Sequence, residues 1–169
     1  VALDLKTGKT LWKSADGEAG YATPQPVILG GQPHVIVSSG RAYSAVKVAD
    51  GQEAWNLRWF TRYGVNAADA IVDGDQVFVG SGYRKGCGLY KIGAELTEVW
   101  KNKNLSTQMN AAVKIGDHLY GFDGDSGGPG KLRCVSWKTG EVVWEHATGF
   151  GALTAADDRL IVLTGTGAL

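Results

Sequence analysis

The chain has 169 residues, and its 17 basic and 17 acidic side chains cancel. This balance gives no support for nucleic acid or an anionic membrane surface as a partner, and no apolar run is long enough to cross a bilayer. Glycine contributes 25 residues, about twice its usual share. Glycines that separate short apolar runs are typical of an all-β chain with many turns.

Short strands follow one another in a repeating order along the chain. The first complete unit is predicted to contain strands at 22–29, 34–38, 42–48 and 53–57. The second has strands at 66–72, 76–79, 89–92 and 98–101, and the third at 110–115, 118–122, 132–137 and 141–144. A fourth unit begins with strands at 152–156 and 160–163.

A tryptophan marks the last strand of each unit, and it recurs every 43 to 45 residues at Trp12, Trp55, Trp100 and Trp144. A helical array of this period would need apolar residues at i, i+3, i+4 and i+7, and no run of that kind is present. Four antiparallel strands per repeat are typical of a β-propeller blade. The sequence therefore predicts an all-β propeller of four-stranded antiparallel blades, with a β-sandwich as the alternative.

The blade units fall at about 1–14, 22–58, 66–102, 110–146 and 152–169, so about four blades are present. The chain begins at Val1 within one motif and ends just after a strand, and we expect it to be a piece of a longer polypeptide. Such a piece leaves two blade faces uncovered. In isolation we therefore expect it to be marginally stable or to associate with itself.

The repeating tryptophan has a predicted structural role. An indole buries about 150–250 Å², and a blade must pack against its neighbours because it cannot cover its own faces. Gly8, Gly51 and Gly140 lie in the tight turns before the tryptophan strands, where glycine tolerates a positive φ. We expect each indole to dock between blades beside such a glycine.

These residues resemble the tryptophan-docking motif of pyrroloquinoline quinone (PQQ)-type propeller repeats, Ala-x-Asp-x-x-Thr-Gly-Lys-x-x-Trp. Residues 2–12 match it at every fixed position. Residues 45–55 keep the alanine, glycine and tryptophan, and residues 134–144 keep the Thr-Gly pair and the tryptophan. The copy at 89–100 is one residue longer and lacks the Thr-Gly pair, so its turn must differ.

The resemblance implies a ring of eight blades and a periplasmic or secreted location. It leaves two functions open. The first is a non-catalytic scaffold or protein-binding module, with a protein partner and no cofactor. The second is a quinoprotein alcohol or sugar dehydrogenase, which would bind PQQ with calcium. The acidic ligands and the adjacent cysteine pair of such enzymes match no residues here, and we assign neither a catalytic residue nor a cofactor-binding residue.

Longer, more varied connections fall at 14–21, 59–65, 81–88, 103–108 and 123–131, all expected on one rim of the blades. Ligand-binding residues are more frequent on such loops. We therefore predict a binding rim, with solvated loop residues as the alternative. Its members are Trp59, Arg62, Tyr63, Tyr83 and Arg84, with Lys85, Asp123 and Asp125 nearby.

Three further features are interpreted as structural. Residues 124–129, Gly-Asp-Ser-Gly-Gly-Pro, match the nucleophile loop of chymotrypsin-like proteases, but His34 and His118 begin strands instead of accompanying Ser126. Asp123 and Asp125 lack the rest of a calcium loop and are expected to be solvated, and no metal site is predicted. Cys87 and Cys134 are either buried free thiols or a disulfide between adjacent repeats.

Overall fold

The computed structural model describes residues 1–14 and 17–169, and the regular structure in this part of the chain is entirely β. The predicted loop at 14–21 therefore lies partly outside the described residues. The strands are β1 (Ala2–Leu3), β2 (Thr10–Trp12), β3 (Gln25–Leu29), β4 (Gln32–Ser38), β5 (Ala42–Lys47), β6 (Glu53–Arg58), β7 (Ile71–Asp73), β8 (Gln76–Ser81), β9 (Gly86–Lys91), β10 (Thr97–Asn102), β11 (Val113–Ile115), β12 (His118–Asp123), β13 (Lys131–Ser136), β14 (Val142–Ala147), β15 (Gly151–Ala156) and β16 (Arg159–Thr164).

The strands form three four-stranded antiparallel sheets in chain order, which we call blade 1 (β3–β6), blade 2 (β7–β10) and blade 3 (β11–β14). Two hairpins flank them. β1 and β2 occupy the third and fourth strand positions of a blade, and β15 and β16 occupy the first and second. The prediction of four-stranded antiparallel propeller blades is confirmed, whereas a ring of eight blades stays a prediction.

The first strands of blades 2 and 3 are shorter than predicted. β7 begins at Ile71 instead of residue 66, and β11 begins at Val113 instead of residue 110. The reason lies in the asparagines at the predicted starts. Asn66 and Asn110 use their side-chain amides to bind backbone carbonyls of other segments, which holds the chain out of the regular ladder.

The apolar core consists of two layers between successive blades. Side chains on β8 alternate between them, since Val77 and Val79 face blade 1 whereas Phe78 faces blade 3. The layer between blades 1 and 2 contains Ile36, Tyr43, Ala45, Trp55, Trp59, Val77, Val79 and Tyr90. The layer between blades 2 and 3 contains Phe78, Cys87, Leu89, Leu105, Ala112, Leu119, Val135 and Trp137.

Two of the four repeating tryptophans lie against a glycine of the following blade. An added Cβ on Gly51 would fall 2.5 Å from the Trp12 ring, and one on Gly140 would fall 2.6 Å from the Trp100 ring. Both glycines have a positive φ, of 73° and 71°. The indole of Trp12 donates to Val48 O at 3.0 Å, and that of Trp100 donates to Trp137 O at 2.8 Å.

The other two tryptophans have different surroundings. Trp55 is buried, but its indole N–H has no acceptor among the described residues. Trp144 is half-buried against the rings of Tyr120 and His146. Gly8 has a φ of 68° and no neighbouring atom within 4 Å of an added Cβ. That these tryptophans and glycines hold the blades together stays a prediction.

Both cysteines lie in the described part of the chain as free, buried thiols. Burial raises the pKa of Cys87 to about 12 and also raises the pKa of Cys134. The thiol of Cys87 donates to Asn102 Oδ1 at 3.3 Å. These neutral thiols behave as small apolar core residues.

Candidate binding rim

Antiparallel order places the variable connections on one edge of the blades. We call this edge the loop rim; it holds the links from second to third strands and the links between successive blades. The opposite edge, the turn rim, carries the short hairpin turns from first to second and from third to fourth strands. The loop rim therefore brings residues 59–70, 82–85, 103–112 and 124–130 to one side.

Trp59 was predicted to belong to the binding rim, and the structure places its side chain in the core instead. Its side chain is fully buried between blades 1 and 2, where its ring meets Tyr90 edge to face at 6.3 Å. The backbone N–H of Trp59 donates to Arg41 O at 2.8 Å, which turns the chain inward directly after β6. The indole N–H donates to Ser81 Oγ at 3.0 Å, so Trp59 joins the connection after β6 to the end of β8 in blade 2.

Asn66 is the polar centre beneath the loop rim, and it is fully buried. Its amide nitrogen donates to Ser39 O and to Trp59 O, both at 2.9 Å. Its amide oxygen accepts a hydrogen bond from the Ser81 hydroxyl, also at 2.9 Å. One side chain thereby joins two loops of blade 1 to the end of β8 in blade 2.

The structure brings Tyr63 and Tyr83 together. Their rings meet edge to face at 5.0 Å, and the Arg62 guanidinium lies 5.4 Å from the Tyr63 ring centre. Tyr63 is 61% exposed, so this aromatic pair is accessible from solvent. Tyr83 and Arg84 have φ values of 57° and 59°, an arrangement that costs a non-glycine residue about 1–2 kcal/mol.

Asp123 and Asp125 are not the solvated carboxylates that we expected. Asp125 Oδ1 accepts the backbone N–H of Tyr83 at 2.7 Å, which holds the strained loop of blade 2 against the loop of blade 3. Asp123 accepts the backbone N–H of Ser106 and pairs with Arg133 at 2.6 Å. Both carboxylates are therefore used in joining the loops.

A cleft of about 380 Å³ lies between these loops of blades 2 and 3. Its size is at the lower end of the range for small-ligand sites, about 300–1,000 Å³. The side chains that line it carry both signs of charge. They are Arg84, Lys103, Ser106, Asp123, Asp125 and Pro129.

Ser126 lies beside this cleft without the partners of a catalytic serine. Its backbone N–H donates to Gln108 Oε1, and its side chain is exposed. None of the hydrogen bonds among the described residues joins it to a histidine. His34 and His118 lie on central strands of blades 1 and 3, and His146 lies on β14 against the Trp144 ring. Among the described residues, Ser126 therefore forms no nucleophile and base pair with a histidine.

The described residues also give no donor set for calcium. They contain no cluster of three or more His, Cys, Asp or Glu side chains able to hold a metal ion. Calcium requires six to eight oxygen ligands, whereas Asp123 and Asp125 are engaged by Arg133 and by backbone amides. The residues present thus do not fit the calcium that would accompany PQQ.

Sequence reasoning missed Lys103, Ser106 and Gln108, although it placed 103–108 among the long connections. The sequence offered no signal for them, because Ser106 and Gln108 are placed by hydrogen bonds with Asp123 and Ser126 of the next blade.

Residues 1–96 match the family model described as outer membrane protein assembly factor BamB. The chain belongs to this PQQ-like propeller family. No curated protein sequence is significantly similar to the chain.

Solved structures share the fold at low sequence identity. They include BamB from Moraxella catarrhalis (19% identity, TM-score 0.57), over 86% of this chain and 42% of that one. The computationally designed Ika8 protein is 11% identical, with a TM-score of 0.60 over 98% and 49% of the two chains. Quinohemoprotein alcohol dehydrogenase from Comamonas testosteroni is 17% identical, with a TM-score of 0.57. The match covers 79% of this chain and 21% of the dehydrogenase chain.

The chain spans less than half the length of each of these three structures. Its likeness to them establishes the propeller fold and nothing about activity, because the identities are all below 20%. No helix in the described residues has the length and hydropathy needed to cross a membrane.

Proposed function

We propose that this chain is part of a non-catalytic propeller that binds protein partners outside the cytoplasm. The observation that carries the proposal is the loop rim, where the exposed Tyr63 and the half-buried Tyr83 form a ring pair. The connection that carries Tyr63 is joined to the end of β8 by buried hydrogen bonds of Trp59 and Asn66. Exposed aromatic and arginine side chains on a rigid support are typical of protein interfaces. The loop rim thus supplies groups suited to recognition of a protein partner.

The family description supports the same proposal. The matching family model is described as an outer membrane protein assembly factor, and a factor of that kind acts by contacting other proteins. We therefore propose a scaffold role in the assembly of envelope proteins, with a periplasmic or secreted location. The identity of the partner is left to experiment.

Partner capture with the loop rim intact or altered tests this function. Replacing residues 62–64 with Gly-Ser linkers removes Tyr63 and Arg62 but leaves Trp59 and Asn66 in place. We expect this variant to lose partners that the unchanged protein retains under crosslinking in envelope extracts. A matched replacement of 116–117, on the turn rim, should retain them. Equal partner sets for all three proteins would contradict the proposal.

The second candidate is a quinoprotein dehydrogenase, because quinohemoprotein alcohol dehydrogenases share the propeller fold of this chain. PQQ bound in such a protein would supply a redox centre that accepts electrons from an alcohol or sugar. The test is reconstitution with PQQ and Ca²⁺, followed by quinone absorbance and dye reduction with an alcohol. Quinone absorbance with turnover would replace the scaffold proposal, and the absence of both would remove the dehydrogenase.

A further inference from the structure

The loop rim carries cations without counter-charges, although the chain as a whole is neutral. Within the described residues, none of its basic side chains around blade 2 forms an ion pair, and these are Arg62, Arg84, Lys85, Lys101 and Lys103. In contrast, Lys114 and Arg133, both in blade 3, are paired with carboxylates. Two carboxylates on this part of the rim, Asp69 and Asp125, likewise have only uncharged donors among the described residues. The five cations outnumber them, so the net charge there is positive.

The cations lie close to one another. Lys85 Nζ and Lys101 Nζ lie 4.7 Å and 5.3 Å from the centre of the Trp59 ring. Burial lowers the pKa of Lys85, and the charge of Lys101 lowers it further. Arg84 and Lys103 flank this pair in sequence and line the cleft. Concentrated like charge of this kind favours an anionic partner and speeds its association.

The carboxylates in the cleft cancel this charge only in part. Asp123 is paired with Arg133, which also binds Glu145, whereas Asp125 keeps its negative charge, because the backbone N–H of Tyr83 that it accepts is uncharged. Among the described residues neither carboxylate forms an ion pair with Arg84 or Lys103, so both cations lack a charged partner there.

The backbone holds this arrangement in place at some cost in stability. Gly82 packs against Asp125 and Gln108 so closely that an added Cβ would fall 2.5 Å from Asp125 Oδ1. The next two residues, Tyr83 and Arg84, adopt the left-handed conformation despite their side chains. Strain of this kind persists where the surrounding structure enforces it, and it is concentrated at functional sites.

We propose that the cleft between the loops of blades 2 and 3 binds an acidic segment of a protein partner. Arg84 and Lys103 bind a carboxylate of that segment, and the neighbouring Tyr63 and Tyr83 rings pack against an apolar or aromatic side chain close to it. An arginine binds a carboxylate through two parallel hydrogen bonds. The contact therefore fixes the orientation of the carboxylate and also brings opposite charges together. This inference rests on the proposed protein-binding function and specifies its ligand chemistry.

A labelled peptide tests the ligand chemistry directly. The probe is a fluorescein-labelled peptide of glutamate and glycine with one central phenylalanine, and binding is followed by fluorescence anisotropy at low and moderate salt. Charge reversal of both cleft cations (Arg84→Glu with Lys103→Glu) should weaken binding at least about tenfold. Binding should also weaken as the salt concentration rises.

The matched control reverses two cations on the turn rim. Lys9 and Lys138 are exposed, lie in third-to-fourth-strand turns and have no ion pair among the described residues. The double variant Lys9→Glu with Lys138→Glu changes the net charge equally, and we expect it to change affinity by less than about twofold. Circular dichroism and thermal melting establish that both double variants are folded.

Three results would overturn the inference: no binding of the acidic peptide, equal weakening by the two double variants, or tighter binding of polyphosphate at matched charge. The last result would identify a general polyanion site. The proposed function is judged separately by partner capture. If the 62–64 replacement loses partners while the cleft variant keeps them, the protein-binding function stands and the acidic ligand is rejected.

Discussion

The interface between blades 1 and 2 and the interface between blades 2 and 3 use tryptophan in different ways. Between blades 2 and 3, Trp100 lies on Gly140 and its indole N–H is bound by Trp137 O. Between blades 1 and 2, the corresponding Trp55 meets neither a glycine nor a hydrogen-bond acceptor for its indole N–H within the described part of the chain. The same residue at the same repeat position thus donates a hydrogen bond at one interface and donates none to the described residues at the other.

The difference between Trp100 and Trp55 arises from the turn between the third and fourth strands of the following blade. Blade 3 has Lys138-Thr-Gly140, in which the positive φ of Gly140 brings backbone close to the indole. Blade 2 has Gly93-Ala-Glu95 at this place, and an added Cβ on Gly93 would meet only Glu95 O, at 3.4 Å. The interface between blades 1 and 2 instead gains buried hydrogen bonds through Asn66, together with a bond from Tyr43 Oη to Ala68 O.

The largest effect is expected from removing the polar centre of the interface between blades 1 and 2. Asn66→Ala leaves the carbonyls of Ser39 and Trp59 and the Ser81 hydroxyl without their partner. We expect the free energy of unfolding to fall by about 3–5 kcal/mol, since each buried unsatisfied group costs about 1–3 kcal/mol. Chemical denaturation provides the measurement.

The control for this change is Asn110→Ala, at the related position of blade 3. Asn110 is only half-buried, and its side chain donates one hydrogen bond, to Gly151 O. A loss of about 1 kcal/mol is expected there. Equal losses at the two asparagines would show that the two interfaces do not differ in the way described.

The next effect concerns the glycine beneath Trp100. Gly140→Ala adds a methyl group that meets the indole, and it places a side chain at a φ of 71°. We expect a loss of about 2–4 kcal/mol from strain and overpacking together. Gly116→Ala has a φ of 53° but no neighbouring atom within 4 Å, so it should lose about 1 kcal/mol from the backbone alone. Indistinguishable losses would mean that the indole contact adds nothing.

A smaller effect should follow from removing single indole N–H groups. Replacing a tryptophan with benzothienylalanine keeps the ring size and removes the donor. At Trp100 we expect a loss of about 1 kcal/mol, because the bond to Trp137 O disappears. At Trp55 we expect no loss, because its N–H has no acceptor to lose. A larger loss at Trp55 than at Trp100 would contradict the comparison.

The weakest effect concerns the hairpin of β15 and β16, which pairs with no third strand among the described residues. Ile161, Leu163 and Leu169 are 43%, 48% and 89% exposed. We expect the 169-residue polypeptide to associate weakly with itself, since exposed apolar surface of this kind favours association. Sedimentation velocity at rising concentration measures it. Monodisperse monomers that melt above about 65 °C would contradict the expectation.

Much of the fold could be predicted because the repeat is local in sequence. The spacing of the tryptophans and the short apolar runs gave the strand order and the blade composition, and second strands such as β12 begin where they were predicted to begin. The starts of β7 and β11 were missed, because the bonds that hold Asn66 and Asn110 outside the ladder reach distant segments. Pattern within one strand carries no information about such bonds.

The candidate site was predicted less well than the fold. The sequence indicated which loops share a rim and which residues on them are aromatic or basic. It could not show that Trp59 turns inward, because its burial depends on Ser81 and Tyr90 in another blade. Nor could it show that Asp123 and Asp125 join the loops, since their partners are 10 and 42 residues away in the chain.

The sequence by itself determined the blade, because strand alternation, turn glycines and the tryptophan period all act within about 45 residues. The tertiary structure alone decided which tryptophans find a glycine, which polar side chains are buried, and which cations on the loop rim stay without a counter-charge. Those properties depend on the faces that neighbouring blades present to one another, and side chains from separate repeats meet only after the blades have packed.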